Sequence, residues 1–293
     1  MHMKYSRYQN AKEFYNDVYD ILLKHEEQNS LPLGNVILGN QGGEPTGWRN
    51  PENWFMASVR DECGKIILSA IMTPPFNITM YETDNIPNDD ALHCLCNNII
   101  NENMEIPGVT SENTLAERFA KIYTQKKEMG YKTRKNLRIY SLREVNKSIP
   151  LIGKIRKAEE KDMPFLPYWH YSFSDDCSLE FRSFEDSVAN IERAIKKGML
   201  YVLEDDGMPV SIASALRESV HGRTIGMVYT PPYFRKKGYA SACVAELSQI
   251  VLDMGYKYVS LFTDLSNTIS NSIYQKIGYK PVCDYNELDF IVS

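Results

Sequence analysis

Arg235, Lys236, Lys237 and Gly238, followed by Tyr239 and Ala240, form the stretch of this chain whose residue types best suit an anion. A basic turn placed directly before a helix sets fixed positive charge beside unpaired backbone N–H groups and the positive end of the helix dipole. That combination suits a phosphate or pyrophosphate. Gly238 can take a positive φ and let the backbone approach a ligand, and the small Ala240 and Ser241 leave room beside it. The plainer reading is a solvated helix start. A second group with chemical potential is Tyr274, three residues after Asn271 on one helical face, with Asn267 at the start of the same helix. Asn267 can cap that helix or bond a ligand amide. A tyrosine in such a place usually packs, but its hydroxyl needs a partner there.

The elements around these residues set their geometry. Residues 224–230 carry Ile225, Met227, Val228 and Tyr229 in a near-continuous apolar run, as expected of a strand covered on both faces. Pro231 and Pro232 end it, because neither can donate to a ladder. Ala240, Cys243, Val244, Leu247, Ile250, Val251 and Met254 then recur at steps of three and four, which predicts an amphipathic helix stopped at Gly255. Tyr258, Val259, Leu261 and Phe262 predict the next strand, and the helix bearing Tyr274 follows.

Arg235-x-x-Gly238-x-Ala240 directly after an apolar strand resembles the coenzyme A pyrophosphate loop of the GNAT superfamily of N-acetyltransferases. The run Val228 to Pro232 is similar to the lead-in of one bacterial branch. Asn267, Ser270, Ile273, Tyr274 and Gly278 match the family's second motif, with Ser for Ala and Ile for Leu. The resemblance covers residues 154–293. It implies acetyl-CoA as co-substrate and direct attack of a primary amine on the thioester in a ternary complex. It implies a splayed strand offering the backbone of Val228, Tyr229 and Thr230 to the pantetheine arm. Amides of Lys236, Lys237, Gly238, Tyr239, Ala240 and Ser241 would take the pyrophosphate, with Arg235 fixing the loop or neutralising charge. Asn267 and Asn271 would lie beside the cofactor, and Tyr274 would protonate the leaving thiolate. For the general base, Glu218, His221 and Asp264 are nearest in sequence, and His221 has the best intrinsic pKa; a water chain is the other option.

Composition narrows the alternatives. With 293 residues, 43% hydrophobic, the chain can bury two cores, and a net charge of -5 argues against broad nucleic-acid or anionic-membrane binding. The reading therefore expects a small-molecule or peptide amine as partner, no nucleic acid and no membrane, a cytoplasmic setting, and compatibility with a homodimer. Six scattered cysteines without a secretory signal read as reduced thiols. His93, Cys94 and Cys96 cluster, but no second pair stands at finger-like spacing, so no metal is expected. An ATP-binding loop lacks its required Gly-Lys-Ser/Thr, since Tyr239 and Ala240 follow Gly238. A non-catalytic acyl-CoA-binding regulator on the same fold remains open.

The first half reads as an older copy. Helix 11–27, a glycine-rich loop 31–50, strands 54–60 and 66–73, a proline pair at Pro74 and Pro75, then helix, short strand, helix and strand follow in near-parallel with the second half. Thr73-Pro74-Pro75 rhymes with Thr230-Pro231-Pro232, and the residues after Pro75 hold no cation or glycine, so this copy is expected not to bind coenzyme A the same way. The expected fold is α/β of the α+β type: a mixed, mostly antiparallel twisted sheet with helices on both faces, GNAT-like and duplicated. The expected domains are 1–148, a degenerate copy that walls the acceptor cleft, and 149–293, the acetyltransferase domain, joined through a linker at 146–153.

Overall fold

A computed structural model describes residues 3–44, 47–177 and 183–291. Its contacts divide the chain into two compact units: 1–139 with 263–266 and 282–293, and 140–262 with 267–281.

The first unit begins with β1 (Lys4–Arg7), α1 (Ala11–Leu23), α2 (Ser30–Asn40), β2 (Phe55–Arg60), β3 (Ile66–Met72) and β4 (Thr79–Glu82). These four strands form an antiparallel sheet in sequence order. It continues with α3 (Asp89–Asn101), β5 (Gly108–Glu112), α4 (Asn113–Lys127) and β6 (Gly130–Leu142). The stretch 31–50, expected to be a loop, contains α2 instead. Pro32 sits in the first turn, where its missing N–H is not needed, and Leu33 and Val36 are buried. Burial of that face outweighs the weak helix propensity of its glycines.

The second half contains β7 (Lys154–Lys157), α5 (Leu166–Asp176), α6 (Phe184–Lys196), β8 (Leu200–Asp205), β9 (Met208–Glu218), β10 (Gly222–Tyr229), α7 (Tyr239–Asp253), β11 (Tyr258–Asp264), α8 (Thr268–Ile277) and β12 (Lys280–Ile291). Within the second unit the strands lie in the order β7, β8, β9, β10, β11, antiparallel except for the parallel β10–β11 pair. Helix α7 packs its Cys243, Leu247 and Val251 into the core with Ala213, Ala215, Ile225, Val259 and Leu261. Each large apolar side chain so buried stabilises by roughly 1.5–3 kcal/mol, which makes α7 a rigid carrier for the turn at its start. Helices α5 and α6 supply a separate core through Leu166, Trp169 and Ile191 against Leu200, Val202, Ile212 and Tyr229.

From β1 to β6 and from β7 to β12 the described elements run through one order twice: strand, two helices, three strands, helix, strand, helix, strand. The duplication therefore holds, but the proline rhyme is not its trace. Pro74 and Pro75 stand between the second and third of the three strands, β3 and β4, whereas Pro231 and Pro232 follow the third, β10. The short β4, four fully buried residues, was hidden in sequence behind those prolines.

The expected division at 148/149 is redrawn as well. The first unit ends at 139 and recovers 282–293, because β12 pairs antiparallel with β5, from Tyr285↔Glu112 to Asp289↔Gly108. Leu288 is fully buried in the first unit's core beside Val109 and Phe119, and Arg138 forks onto Asp284. We expect Leu288→Ala to destabilise that unit by about 2–5 kcal/mol, the range for emptying a buried leucine site, in urea unfolding; an unchanged midpoint would contradict the assignment of the last strand.

Candidate functional site

Strand β10 departs from both neighbours before it reaches the basic turn. Against β9, Gly226 pairs with Ser214 and Tyr229 with Ile212, so β10 holds one extra residue in that interval. Met227 absorbs it with a φ of 51°, a strained value for a side-chain-bearing residue. Bulges of this kind bend a strand and re-aim its peptide groups. Against β11, parallel pairing runs from Gly222↔Tyr258 to Thr224↔Ser260 and no further among the described residues. Since β10 continues to Tyr229 and β11 to Asp264, the two strands part after Thr224.

The Tyr229 carbonyl accepts from Ser211 Oγ at 3.1 Å, and the same hydroxyl meets Thr230 Oγ1 at 2.8 Å. Tyr229 is thereby turned toward β9, and strand alternation directs the Val228 peptide groups to the side where β11 has left. An extended arm laid there would find backbone groups to bond, as an added strand does.

A turn of 3-10 helix, Pro232–Phe234, leads from the strand into the basic stretch. Lys236 and Gly238 both adopt left-handed backbone, with φ of 64° and 88°. Helix α7 begins on Gly238 without a side-chain cap. The amides of Tyr239, Ala240 and Ser241 thus open α7 with the dipole's positive end behind them, while Lys236 and Lys237 are exposed beside them. A curled turn of this sort gathers N–H groups into a concave anion seat, and its charge and open donors fit a diphosphate.

Two residues of this turn do something other than face a ligand. Arg235 donates from Nε to the Thr230 carbonyl at 2.9 Å and from its terminal nitrogen to Asp176, so it staples the turn to the end of β10 and to α5. Tyr239 points its ring inward against Phe234 and donates its hydroxyl to Asp205, which raises the phenol's pKa and leaves only the backbone N–H of Tyr239 to serve the turn. Asp176 and Asp205 carry no motif in the sequence, since each lies far along the chain from the turn it steadies.

The Arg235 staple has a testable sign. If Asp176 merely adds negative charge near a phosphate, Asp176→Asn strengthens acetyl-CoA binding; if it holds the turn, the change weakens binding. We expect weakening by roughly three- to tenfold in calorimetric titration, through loss of preorganisation.

Asn267 caps α8, its Oδ1 accepting from the Ser270 N–H at 3.0 Å, and Asn271 Nδ2 donates to the Asn267 carbonyl at 2.8 Å. The capping role is therefore occupied in this structure by Asn267. Tyr274 lies in the core of the second unit with Tyr140 and Tyr279 at ring distances of 6.5 and 6.0 Å. Burial first, with Cys177 nearby, pushes its phenol up to about 12, against a smaller opposing pull from Ser270. Its hydroxyl keeps its proton throughout the neutral range.

Among the base candidates, His221 is a correction. It sits in the turn between β9 and β10, where its carbonyl accepts from the Lys257 N–H at 2.7 Å. The bulge lies six residues further along an extended strand, on the order of 20 Å away, beyond direct proton transfer. Glu218 is at the same end, opposite Arg223. Asp264 ends β11 and accepts from the Ser266 N–H and hydroxyl at 2.8 and 2.7 Å. Sequence proximity to the strand misled here because a strand carries its two ends far apart.

In the first unit the helix in the equivalent position, α3, opens differently. Asn88 caps it, accepting from the Ala91 N–H at 2.9 Å, and its own N–H donates to Glu82 at 2.7 Å. Asp89 and Asp90 occupy the first turn. Its N-terminus is capped by Asn88, and the nearby Arg118 guanidinium is already engaged by Glu82 and Asp89. On the same helix Cys96 is fully buried and its thiol is pushed up to about 12 by burial, so it is a packed thiol rather than a thiolate ligand.

Residues 163–279 match the model of the acetyltransferase (GNAT) family. No curated protein matches the chain. Among solved structures, it is similar along its length to an acetyltransferase from the GNAT family of Colwellia psychrerythraea (9% identity, 99% of this chain and 100% of that one, TM-score 0.59). It is similar as well to a GCN5-related N-acetyltransferase from Sphaerobacter thermophilus (14%, 99% and 96%, TM-score 0.61). A tandem GNAT protein from the clavulanic acid biosynthesis pathway matches at 10% identity over 99% and 98%, with TM-score 0.57. At such identities the likeness is one of fold, and it extends over both halves. No helix among the described residues is long and apolar enough to cross a membrane.

Proposed function

We infer that this chain, a tandem GNAT-fold protein whose residues 163–279 belong to the acetyltransferase family, transfers an acetyl group from acetyl-CoA to a primary amine. The observation that supports this most is the conjunction at the end of β10: a bulged strand parted from β11, followed by an uncapped helix start whose turn is left-handed at Lys236 and Gly238. Acyl transfer needs the thioester held in line with a neutral amine and donors for the developing oxyanion. Lys236 to Ser241 would hold the diphosphate by main-chain amides, with Lys236 and Lys237 adding charge. Val228 and Tyr229 would align the pantetheine arm, and the bulge at Met227 would aim a peptide N–H toward the thioester oxygen. Acetyl-CoA supplies the activated acyl group when bound.

Tyr274 would donate its hydrogen to charge building on the leaving sulfur. Its pKa near 12 stands above that of an ordinary thiol, about 8.5, so the hydroxyl stabilises the thiolate chiefly as a hydrogen-bond donor. With His221 and Glu218 at the other end of β10, and Asp264 engaged by the Ser266 N–H and hydroxyl, deprotonation of the amine would fall to water or to the acceptor's own equilibrium. The first unit would not bind a second coenzyme A, given the capped start of α3.

Titration with acetyl-CoA, followed by an amine and aminoglycoside screen read as coenzyme A thiol release, tests the reading. Binding with turnover on at least one amine supports it. Binding without release on any amine makes the chain a coenzyme A-binding regulator, and absence of binding removes both.

A further inference from the structure

Arg217 is a cation that the acyl-transfer reading leaves unused. It lies near the end of β9, in the interval where Ala215 pairs with Ile225 and Glu218 with Arg223, so β9 carries an extra residue beside β10. Among the described residues it makes no hydrogen bond and no ion pair: its Nε is buried without a partner, and its guanidinium carbon stands 5.8 Å from the Phe262 ring centre. By contrast Arg156, half-buried in the same unit, is paired with Asp162 and Glu204. Desolvation lowers the Arg217 pKa to about 10, although part of its surface remains accessible. A desolvated charge without a counter-ion is costly, and the cost is removed when a ligand brings the opposite charge.

The register places this cation relative to the site. Val259, Leu261 and Ile225 face the core under α7, so by strand alternation Ser260, Phe262, Thr224 and Gly226 line the opposite face. The hydroxyls of Thr224 and Ser260 meet there at 3.1 Å. On that face Leu216 lies against Gly226, where a Cβ would come within 2.6 Å of it. Phe262 is two residues past the last β10–β11 pair, on the parted stretch of β11. The guanidinium therefore sits at the mouth of the gap between the strands, on the face away from α7, on the order of 10 Å from Val228 along the strand direction.

We propose that Arg217 anchors an anionic group of the acceptor, so that the substrate is an amine carrying a carboxylate or phosphate separated from its nitrogen by several bonds. With hydrogen-bond approaches of about 3 Å at each end, the space left between amine and anion is roughly 4–8 Å, the span of an ω-amino acid. This rests on the acyl-transfer reading above. A planar guanidinium receives such an oxyanion in a bidentate fork, which Lys cannot reproduce.

The test compares 6-aminohexanoate with hexylamine, and 3-aminopropyl phosphate with propylamine, in kcat/KM from thiol release. In parallel, N-acetyl-6-aminohexanoate and N-hexylacetamide are titrated calorimetrically into the full chain with and without coenzyme A, so that the comparison can be read even if no turnover occurs. The anionic member of each pair is expected to be favoured by roughly tenfold or more, in line with a charged hydrogen bond, and Arg217→Gln should bring the ratio close to one, with Arg217→Lys between. A carboxylate preference without a phosphate preference, or the reverse, identifies the anion. Equal kcat/KM or equal binding within the pairs, or a ratio unchanged in Arg217→Gln, overturns the proposal. Acetyl-CoA titration of each variant separates this failure from failure of the acyl-transfer reading.

Discussion

Gly238→Glu is expected to weaken acetyl-CoA binding by 100-fold or more, measured by calorimetric titration. Three costs coincide at this position. Gly238 holds a φ of 88°, a left-handed conformation that a residue with a Cβ adopts at a cost of about 1–2 kcal/mol. A Cβ added there would stand 3.2 Å from Ile152 Cδ1, so the side chain has to displace a packed neighbour. The carboxylate would then project beside the open amides of α7, occupying the seat with the charge that the diphosphate brings. Gly238→Ala separates these effects, because it keeps the strain and crowding without the charge, and should lose distinctly less affinity. Binding by Gly238→Glu within about threefold of the parent would sink the assignment of this turn, since a 100-fold loss corresponds to about 2.7 kcal/mol.

Tyr274→Phe should lower kcat roughly 10-fold or more while acetyl-CoA affinity stays near that of the parent, because a hydrogen bond to developing charge is realised in the transition state rather than on binding. The ring remains to pack against Tyr140 and Tyr279, so the fold is not at issue. The pH dependence follows from the direction of the shift. Burial raises the phenol to about 12, so Tyr274 is protonated at every pH from 7 to 10. Any limb of the pH–rate profile in that window therefore belongs to another group, and its position should be the same in Tyr274→Phe. Unaltered turnover would remove the acid role, and a limb that disappears with the hydroxyl would show that the phenol titrates far lower than its surroundings imply.

His221 was attractive because it lies seven positions before Val228 and has a suitable intrinsic pKa, but an extended strand converts that short interval into a long separation. Tyr239 belongs to the turn by sequence, yet its ring is spent on Phe234 and Asp205. The inward ring leaves the expected role of the Tyr239 amide untouched, whereas the position of His221 in the β9–β10 turn removes it from the bulge.

What residue order alone determined is the local chemistry: a strand closed by prolines, a basic turn ending in glycine, an amphipathic helix, and a second helix carrying asparagine and tyrosine at matching steps. Those features depend on neighbours within a few residues, through φ preferences, missing donors and hydrophobic period, so they are legible without the fold. Tertiary structure alone decided that β10 bulges at Met227 and parts from β11, that Asp176 and Asp205 secure the turn, that Arg217 has no counter-ion among the described residues, and that β12 completes the first unit. Each of these depends on register and pairing between residues tens to hundreds of positions apart, which no local pattern encodes.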